Sequence, residues 1–304
     1  TPLEVVEKLE ATGKSVFPSS AVLAQIQDKL IQKRKFQQEG IVLPRFKKVL
    51  SGADVLEAAA EFGFPVMLKA RRGSSDGRGN VLIRRAHDIE PALKTLRGHE
   101  LFAEEFVQYQ RELAVIVVRW QDGSTRTYPV VEIFNEANIC HIVHCPATID
   151  EATAVHAVEA ARQAVELLDG VGIFTVKLFE IEDNEVLLNE VTPRPHDAGH
   201  FTIEGVLTSQ YENLLRAALD LAPGDVAQIA PATAMVNILG DGTGEVSFEV
   251  IRDVFMTEGT HIHWYGKTQM RPGTKLGHIT VLGYNTDGAE KVGRLALSRV
   301  KLSI

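Results

Sequence analysis

Only two of the 304 residues are cysteines, Cys140 and Cys145, and their C-x4-C spacing matches none of the usual zinc patterns. Such a chain does not read as a disulfide scaffold; two buried free thiols in a reducing, cytoplasmic compartment fit it best. No apolar run approaches the ~18 residues that span a bilayer, and no basic leader precedes an apolar stretch, so neither a transmembrane helix nor a signal peptide is read. Excess positive charge is also lacking. The net charge of −8 argues against nucleic acid or an anionic membrane as a partner, while leaving room for a local basic cluster that holds a small phosphorylated ligand. Repeats and low-complexity tracts are absent.

What is present is an ordinary globular composition, 45% hydrophobic and 24% charged, long enough for two or three packed units. The opening "TPLEVVEKLEATG" predicts a short amphipathic helix with Thr1 as cap, Pro2 in the first turn and Gly13 as stop. "AVLAQIQDKLIQKRKFQQEG" predicts one helix ending at Gly40, with Val22, Ile26, Leu30 and Ile31 on one face. From residue 51 the pattern runs helix "ADVLEAAAEFG", strand "PVMLKA", glycine-rich loop "RRGSSDGRGN", strand "VLIRR", helix "IEPALKTL" and strand "LFAEEF". That order makes the fold class α+β. Two or three strands are expected over 111–147, a long helix over 150–168, and the strands "GIFTVKLFEIE" and "EVLLNEV". "SQYENLLRAALDLAPG" reads as a helix closed by Pro223 and Gly224, and the composition of 222–231 suggests a boundary. Beyond it, "TAMVNILG", "THIHWYG" and "KLGHITVLG" predict the strands of a smaller C-terminal unit.

Several places carry chemistry. Lys69 sits on a strand among apolar neighbours, where an ammonium group needs an anionic partner, and the glycine-rich loop follows at once. That pairing suits a nucleoside triphosphate, because backbone amides and a lysine together meet phosphate charge. "AEEFV" and "RELAVIV" place carboxylates at strand ends, and "EVLLNEVTPRPHDAGH" ends a strand on Asn189 and Glu190 before a turn carrying Arg194 and His196. Singly, each of these is a solvated edge or turn.

Taken in order, they resemble the ATP-grasp fold, and more closely the family of 5-(carboxyamino)imidazole ribonucleotide synthases. These are the ATP-dependent carboxylating enzymes of purine biosynthesis, and in fungi they form the first part of a bifunctional phosphoribosylaminoimidazole carboxylase. The resemblance is carried by "IQDKLIQK", "FPVMLKARRGSSDGRGN", "LFAEEFVQYQRELAVIVVR", "YPVVEIFNEANIC", "LLNEVTPRPHDAGHFTIEGVLTSQYENLLRAALDL" and "HWYGKTQMRPGTKLGHITV". It implies an ATP-grasp core over 25–222, with lobes of about 25–103 and 104–222, and a small β-rich domain over 223–304. Residues 1–24 would be the remnant or linker of a preceding Rossmann-like domain.

The resemblance also implies roles. Lys29 and Lys69 would contact the phosphates of ATP, and Asp76, Gly77 and Gly79 would form the flap above them. Glu104, Glu105, Phe106 and Val107 would hold adenine, Glu112 the ribose, and Asn189 would stand beside Glu190, the ligand of Mg2+. Arg78, Arg194, His196 and Lys275 would surround carboxyphosphate and aminoimidazole ribonucleotide, with bicarbonate as the other substrate. A homodimer or a complementing N-terminal domain is the implied partner.

Departures from the family pattern bear on each end of that site. Where relatives read "GVEMF", with a second magnesium carboxylate, this chain reads "TVKLF", which puts Lys177 there. Lys177 is expected to pair with Glu190 or to touch phosphate. Ser75 stands where relatives have tyrosine, and Asp197 stands where they have an amide. Three readings follow: a working carboxylase, a diverged paralogue with a changed carboxylate–amine ligase activity or nucleotide binding without turnover, or a non-enzymatic scaffold in a larger complex.

Overall fold

The computed structural model describes residues 2–73, 79–246 and 254–300, so Thr1, Ser75, Asp76, Gly77 and Arg78 lie outside the described residues. Helix α1 spans Leu3–Ala11 and is followed by α2 (Ser20–Gln27) and α3 (Lys29–Gln38). The last two were expected as one helix. Asp28 breaks it, with φ −101° and ψ 99°, because its carboxylate accepts the N–H groups of Leu30 at 3.1 Å and Ile31 at 3.2 Å and so starts a new helix. The break rotates the second helix: Val22, Ile26 and Leu30 stay buried, but Ile31 is 41% exposed.

A four-stranded antiparallel sheet follows, built from β1 (Phe46–Val49), β2 (Val66–Ala70), β3 (Asn80–Ile83) and β4 (Leu101–Glu105) in the order β1-β4-β2-β3. Two helices, α4 (Gly52–Phe62) and α5 (Ile89–Thr95), cover one face around Val55, Ala58, Leu68, Ile83 and Ala103. Asp54 anchors the start of α4 by accepting the N–H of Ser51 at 2.8 Å. Along β2, Val66, Leu68 and Ala70 are buried, which leaves Met67 and Lys69 on the opposite, helix-free face.

The second sheet has nine strands. Its first members are β5 (Arg111–Arg119), β6 (Thr125–Thr127), β7 (Val131–Glu136) and β8 (Ile139–Cys145), one more strand than the two or three expected over this stretch. The long helix α6 (Glu151–Leu168) leads to β9 (Gly172–Glu180) and β10 (Val186–Thr192). Short α7 (Thr202–Gly205) and α8 (Gln210–Ala218) precede β11 (Ala232–Leu239). Then come β13 (Thr260–Trp264), β15 (Lys275–Gly283) and the helix α9 (Thr286–Leu297), which sequence patterning did not single out, while β12 (Gly244–Glu245) and β14 (Gln269–Met270) pair in a two-stranded sheet of their own.

The main path is β10-β9-β5-β7-β8-β11-β15-β13, with β6 on β5. Because β11 hydrogen-bonds to β8, the C-terminal strands continue the central sheet. One face of β5, β9 and β10 packs with α6, α2 and α3 around Val115, Phe174, Leu188 and Phe36. The other packs around Ile116, Ile173, Val143 and Phe201. Among the described residues, no helix is long and apolar enough to cross a membrane.

Candidate functional site

A cleft of about 700 Å³ opens between the bare face of the small sheet and the mouth of the large one. Nearly every described residue singled out above lines it: Lys29, Lys69, Glu104 to Val107, Glu112, Asn189, Glu190, Arg194, His196 and Lys275. Gly79 is not among the lining residues; it supports β2 by accepting the N–H of Ala70 at 2.8 Å.

At the small sheet, Glu104 is 2% exposed and carries two ammonium groups. Lys69 is ion-paired to its Oε1, and Lys33 lies 2.6 Å from its Oε2. Burial pushes the Glu104 carboxyl up, but Lys33 and Lys69 together outweigh it and hold the group below the ordinary carboxylate range. Lys33 goes the other way: burial, which Lys69 reinforces, brings it below an ordinary lysine. One carboxylate shared by two ammonium groups leaves a surplus positive charge facing the cleft. Lys33 also donates to the carbonyl of Asn189 at 3.2 Å and so connects α3 to β10. It lies one helical turn after Lys29, and that i,i+4 spacing was the signal that could have found it.

The start of α3 is tied to the glycine-rich segment by Asp28, which is fully buried. Its carboxylate receives Arg71 Nη2 at 2.6 Å and Arg72 Nε at 3.1 Å, while the N–H of Lys29 donates to the carbonyl of Arg71 at 3.0 Å. These contacts hold Lys29 over the large sheet, with Nζ 3.5 Å from Glu190 Oε2.

Glu190 reaches the cleft through a β-bulge. Leu188 pairs with Leu178, but Glu190 pairs with Lys177, so Asn189 is an extra residue in β10. Strict alternation would send Glu190 to the same face as Leu188, into the apolar core; the bulge turns it to the face of Lys177. Burial would raise the Glu190 carboxyl, yet Lys29, Lys177 and Lys69 bring it down to about 2.

Lys177 departs from the expected pair with Glu190. It stands opposite Glu190 in register, but its Nζ is 3.2 Å from Glu112 Oε1. Burial lowers a lysine, and here Glu112 and Glu190 overcome that and hold Lys177 above its ordinary value. The other oxygen of Glu112 accepts from Asn135 Nδ2 at 2.5 Å. No sequence signal pointed to Asn135. Beside them Tyr109 and Phe179 stack with centroids 4.6 Å apart on the cleft wall.

At the far end, Asp197 is ion-paired to Lys275 and lies 2.6 Å from His196 Nδ1. Burial raises its carboxyl, but His196 and Lys275 keep it well below the usual range. Arg194 Nη1 donates to the carbonyl of Pro195 at 3.0 Å. Behind Lys275 the rings of His200, His278 and His263 stack at 4.6 and 4.5 Å, bounded by Tyr211 and Tyr265.

This cleft suits a polyanion with a planar base: ammonium groups on both walls, stacked aromatic rings, and carboxylates that already balance most of the charge. Magnesium is a poorer match. Among the described residues no group of three or more His, Cys, Asp or Glu converges to hold a metal. A magnesium ion shared with phosphates needs one or two carboxylates. Glu190 is flanked by Lys29 and Lys177, and both oxygens of Glu112 are engaged.

The ATP-grasp domain profile matches residues 34–211, and that of the phosphoribosylaminoimidazole carboxylase C-terminal domain matches 233–292. Phosphoribosylaminoimidazole carboxylase of Schizosaccharomyces pombe is 38% identical over 292 residues, 94% of this chain and 53% of that protein. N5-carboxyaminoimidazole ribonucleotide synthase of Synechococcus elongatus is 36% identical over 280 residues, 92% of this chain and 71% of that protein. The crystal structure of N5-carboxyaminoimidazole synthase from Aspergillus clavatus, in complex with ADP and 5-aminoimidazole ribonucleotide, has a TM-score of 0.91 at 32% identity, covering 99% of this chain and 80% of that one. The chain thus spans about half the length of the fungal carboxylase it matches.

Proposed function

Since the chain belongs to the ATP-grasp family, among the N5-carboxyaminoimidazole ribonucleotide synthases, we propose that it binds ATP in the cleft and uses it to carboxylate aminoimidazole ribonucleotide with bicarbonate. The observation that carries this reading is the convergence of Lys29, Lys33 and Lys69 on two carboxylates, Glu104 and Glu190, at the junction of the two sheets. An incoming triphosphate takes up the surplus positive charge there.

In this reading Lys29 and Lys69 meet the phosphates. The backbone of Glu105 to Val107 and the Tyr109–Phe179 stack hold adenine, and Glu112 takes the ribose hydroxyls. Transfer of the terminal phosphoryl group to bicarbonate gives carboxyphosphate and ADP, and the exocyclic amine of the ribonucleotide then captures the carboxyl group with release of phosphate. Arg78, Arg194 and Lys275 offer positive charge to the anionic partners, and His196 lies beside Arg194 and Lys275 on the cleft wall. Mg2+ is the usual companion of ATP in such sites, but the donor set around Glu190 does not fit it, and no step is assigned to it. The buried thiols of Cys140 and Cys145, both pushed up by burial, suit a cytoplasmic location.

Asp197 favours a second reading, nucleotide binding without carboxylation. Its carboxylate occupies Lys275 and His196, two of the groups assigned to the anionic substrates. ADP release with and without bicarbonate and aminoimidazole ribonucleotide separates the two. Carboxylation predicts release that depends on both substrates. Release that ignores them, or none beside measurable ATP binding, overturns it in favour of the second reading.

A further inference from the structure

The floor of the cleft presents carboxylates whose negative charge is already matched by ammonium groups. Val176 and Leu178 of β9 enter the apolar core, which leaves Lys177 between them on the cleft side with its side chain 16% exposed. It contacts Glu112 at 3.2 Å and stands opposite Glu190 in the strand register, while Lys29, on the wall of the same cleft, lies 3.5 Å from Glu190. A divalent cation at Glu190 would enter the field of Lys29, Lys69 and Lys177 together, the groups that hold this carboxyl down. Glu112, the carboxylate that Lys177 contacts, spends one oxygen on Lys177 and the other on Asn135. The place between these two carboxylates is filled by an ammonium group that the polypeptide itself supplies.

We propose that Lys177 selects the metal-free form of a nucleoside polyphosphate, meeting its phosphates directly, together with Lys29, where a divalent cation would otherwise bridge them to the protein. This rests on the nucleotide-binding reading above. A lysine suits the task because its compact ammonium group offers three donors on a flexible stem, one for Glu112 and the rest for phosphate oxygens. It makes Lys177 a specificity-determining residue: the uncomplexed nucleotide carries more negative charge than its magnesium complex, and the fixed positive charge at this point favours the former.

The test is calorimetric titration of ADP into the full chain, once in excess EDTA and once in excess magnesium chloride. The wild-type comparison needs no variant, and binding in EDTA at least as tight as in magnesium supports the proposal. Lys177→Met, which keeps the length of the side chain, should weaken binding in EDTA by about tenfold or more, the loss of one charge-assisted phosphate contact, and change it less in magnesium. Lys177→Glu should bind ADP only with magnesium present. Thermal melts establish that both variants are folded. Wild-type binding that requires magnesium, or equal affinities of wild type and Lys177→Met in EDTA, overturns the proposal and leaves the nucleotide reading standing. Absence of ADP binding in both buffers overturns both.

Discussion

Asp28 Oδ2 lies 2.6 Å from Arg71 Nη2, and the same carboxylate caps helix α3 through the N–H groups of Leu30 and Ile31. One fully buried side chain therefore joins the helix that carries Lys29 and Lys33 to the strand end that leads into the glycine-rich segment. Asp28→Ala removes a helix cap, worth ~1 kcal/mol, and leaves Arg71 short of its buried partner. The expected loss is about 3–5 kcal/mol in urea unfolding. A loss below about 1 kcal/mol would mean that Glu100, 2.8 Å from Arg71 Nη1, compensates alone.

Glu104 holds two ammonium groups, so its replacement should cost more than that of either lysine. Glu104→Gln leaves Lys33 and Lys69 facing each other with only the more distant Glu190 as counter-charge, and about 3–5 kcal/mol of stability should be lost. Lys33→Met keeps the Lys69 pair and removes the surplus charge, for a loss of at most about 2 kcal/mol from the unpaired carbonyl of Asn189. Denaturation midpoints of the two variants, compared at equal m-value, decide the matter; the reverse order contradicts the shared-carboxylate arrangement.

Acid should loosen the histidine stack. Burial brings His200 down to about 4 and His278 down to about 2, from an ordinary value of 6.5. Their folded values lie below the unfolded one, so their contribution is fully present above pH 6.5 and is lost as the pH falls toward 4. Nearby Asp197 favours protonation of both rings, while His263 opposes it, as Lys275 and His196 do at His200. For His200 alone the loss reaches about 3 kcal/mol. Unfolding free energies measured from pH 7 to 4 should fall, and His200→Gln should flatten part of that slope. An unchanged slope rules out His200 as a source.

The bulge in β10 predicts a contrast between changing Asn189 and deleting it. Asn189→Ala keeps the extra residue and should alter stability by about 1 kcal/mol or less. Deleting Asn189 places Glu190 directly after Leu188, where strict alternation keeps it opposite Lys177 on the cleft face; the cost should be about 1–3 kcal/mol, from the lost bulge and the lost Asn189 carbonyl that accepts from Lys33. A loss above about 4 kcal/mol, or loss of cooperative unfolding, would show that the pairing of Glu190 with Lys177 does not survive and that the carboxylate has entered the core.

Much of this arrangement was legible in order and type. A lysine among the apolar neighbours of "PVMLKA", with a glycine-rich loop after it, marked Lys69, and ordered segments located nearly all of the cleft lining. What escaped reading has physical causes. The break at Asp28 depends on Arg71 and Arg72, more than forty positions away, so local periodicity from Val22 to Ile31 looked continuous. The bulge at Asn189 is invisible to period-two counting, because "VLLNEV" alternates plausibly in either register. Lys177 was expected near Glu190, and its bond to Glu112 follows from the pairing of β9 with β5, a long-range register that composition does not encode. A lysine on a basic helix, as Lys33 is, looks solvated until its strand partner Glu104 is known.

The continuous sheet that joins β8 to β11 sets the geometry of whatever the cleft holds. Lys177 on β9 and Lys275 on β15 are linked through β5, β7, β8 and β11 by an unbroken ladder of hydrogen bonds. Lys69 and Glu104 ride on the other sheet. Any rearrangement of the two sheets changes the distance from Lys69 to Lys177 and leaves the span from Lys177 to Lys275 as it is. The cleft thus has the build of a caliper, with a fixed jaw that sets the length of the ligand and a second jaw that sets how firmly it is gripped.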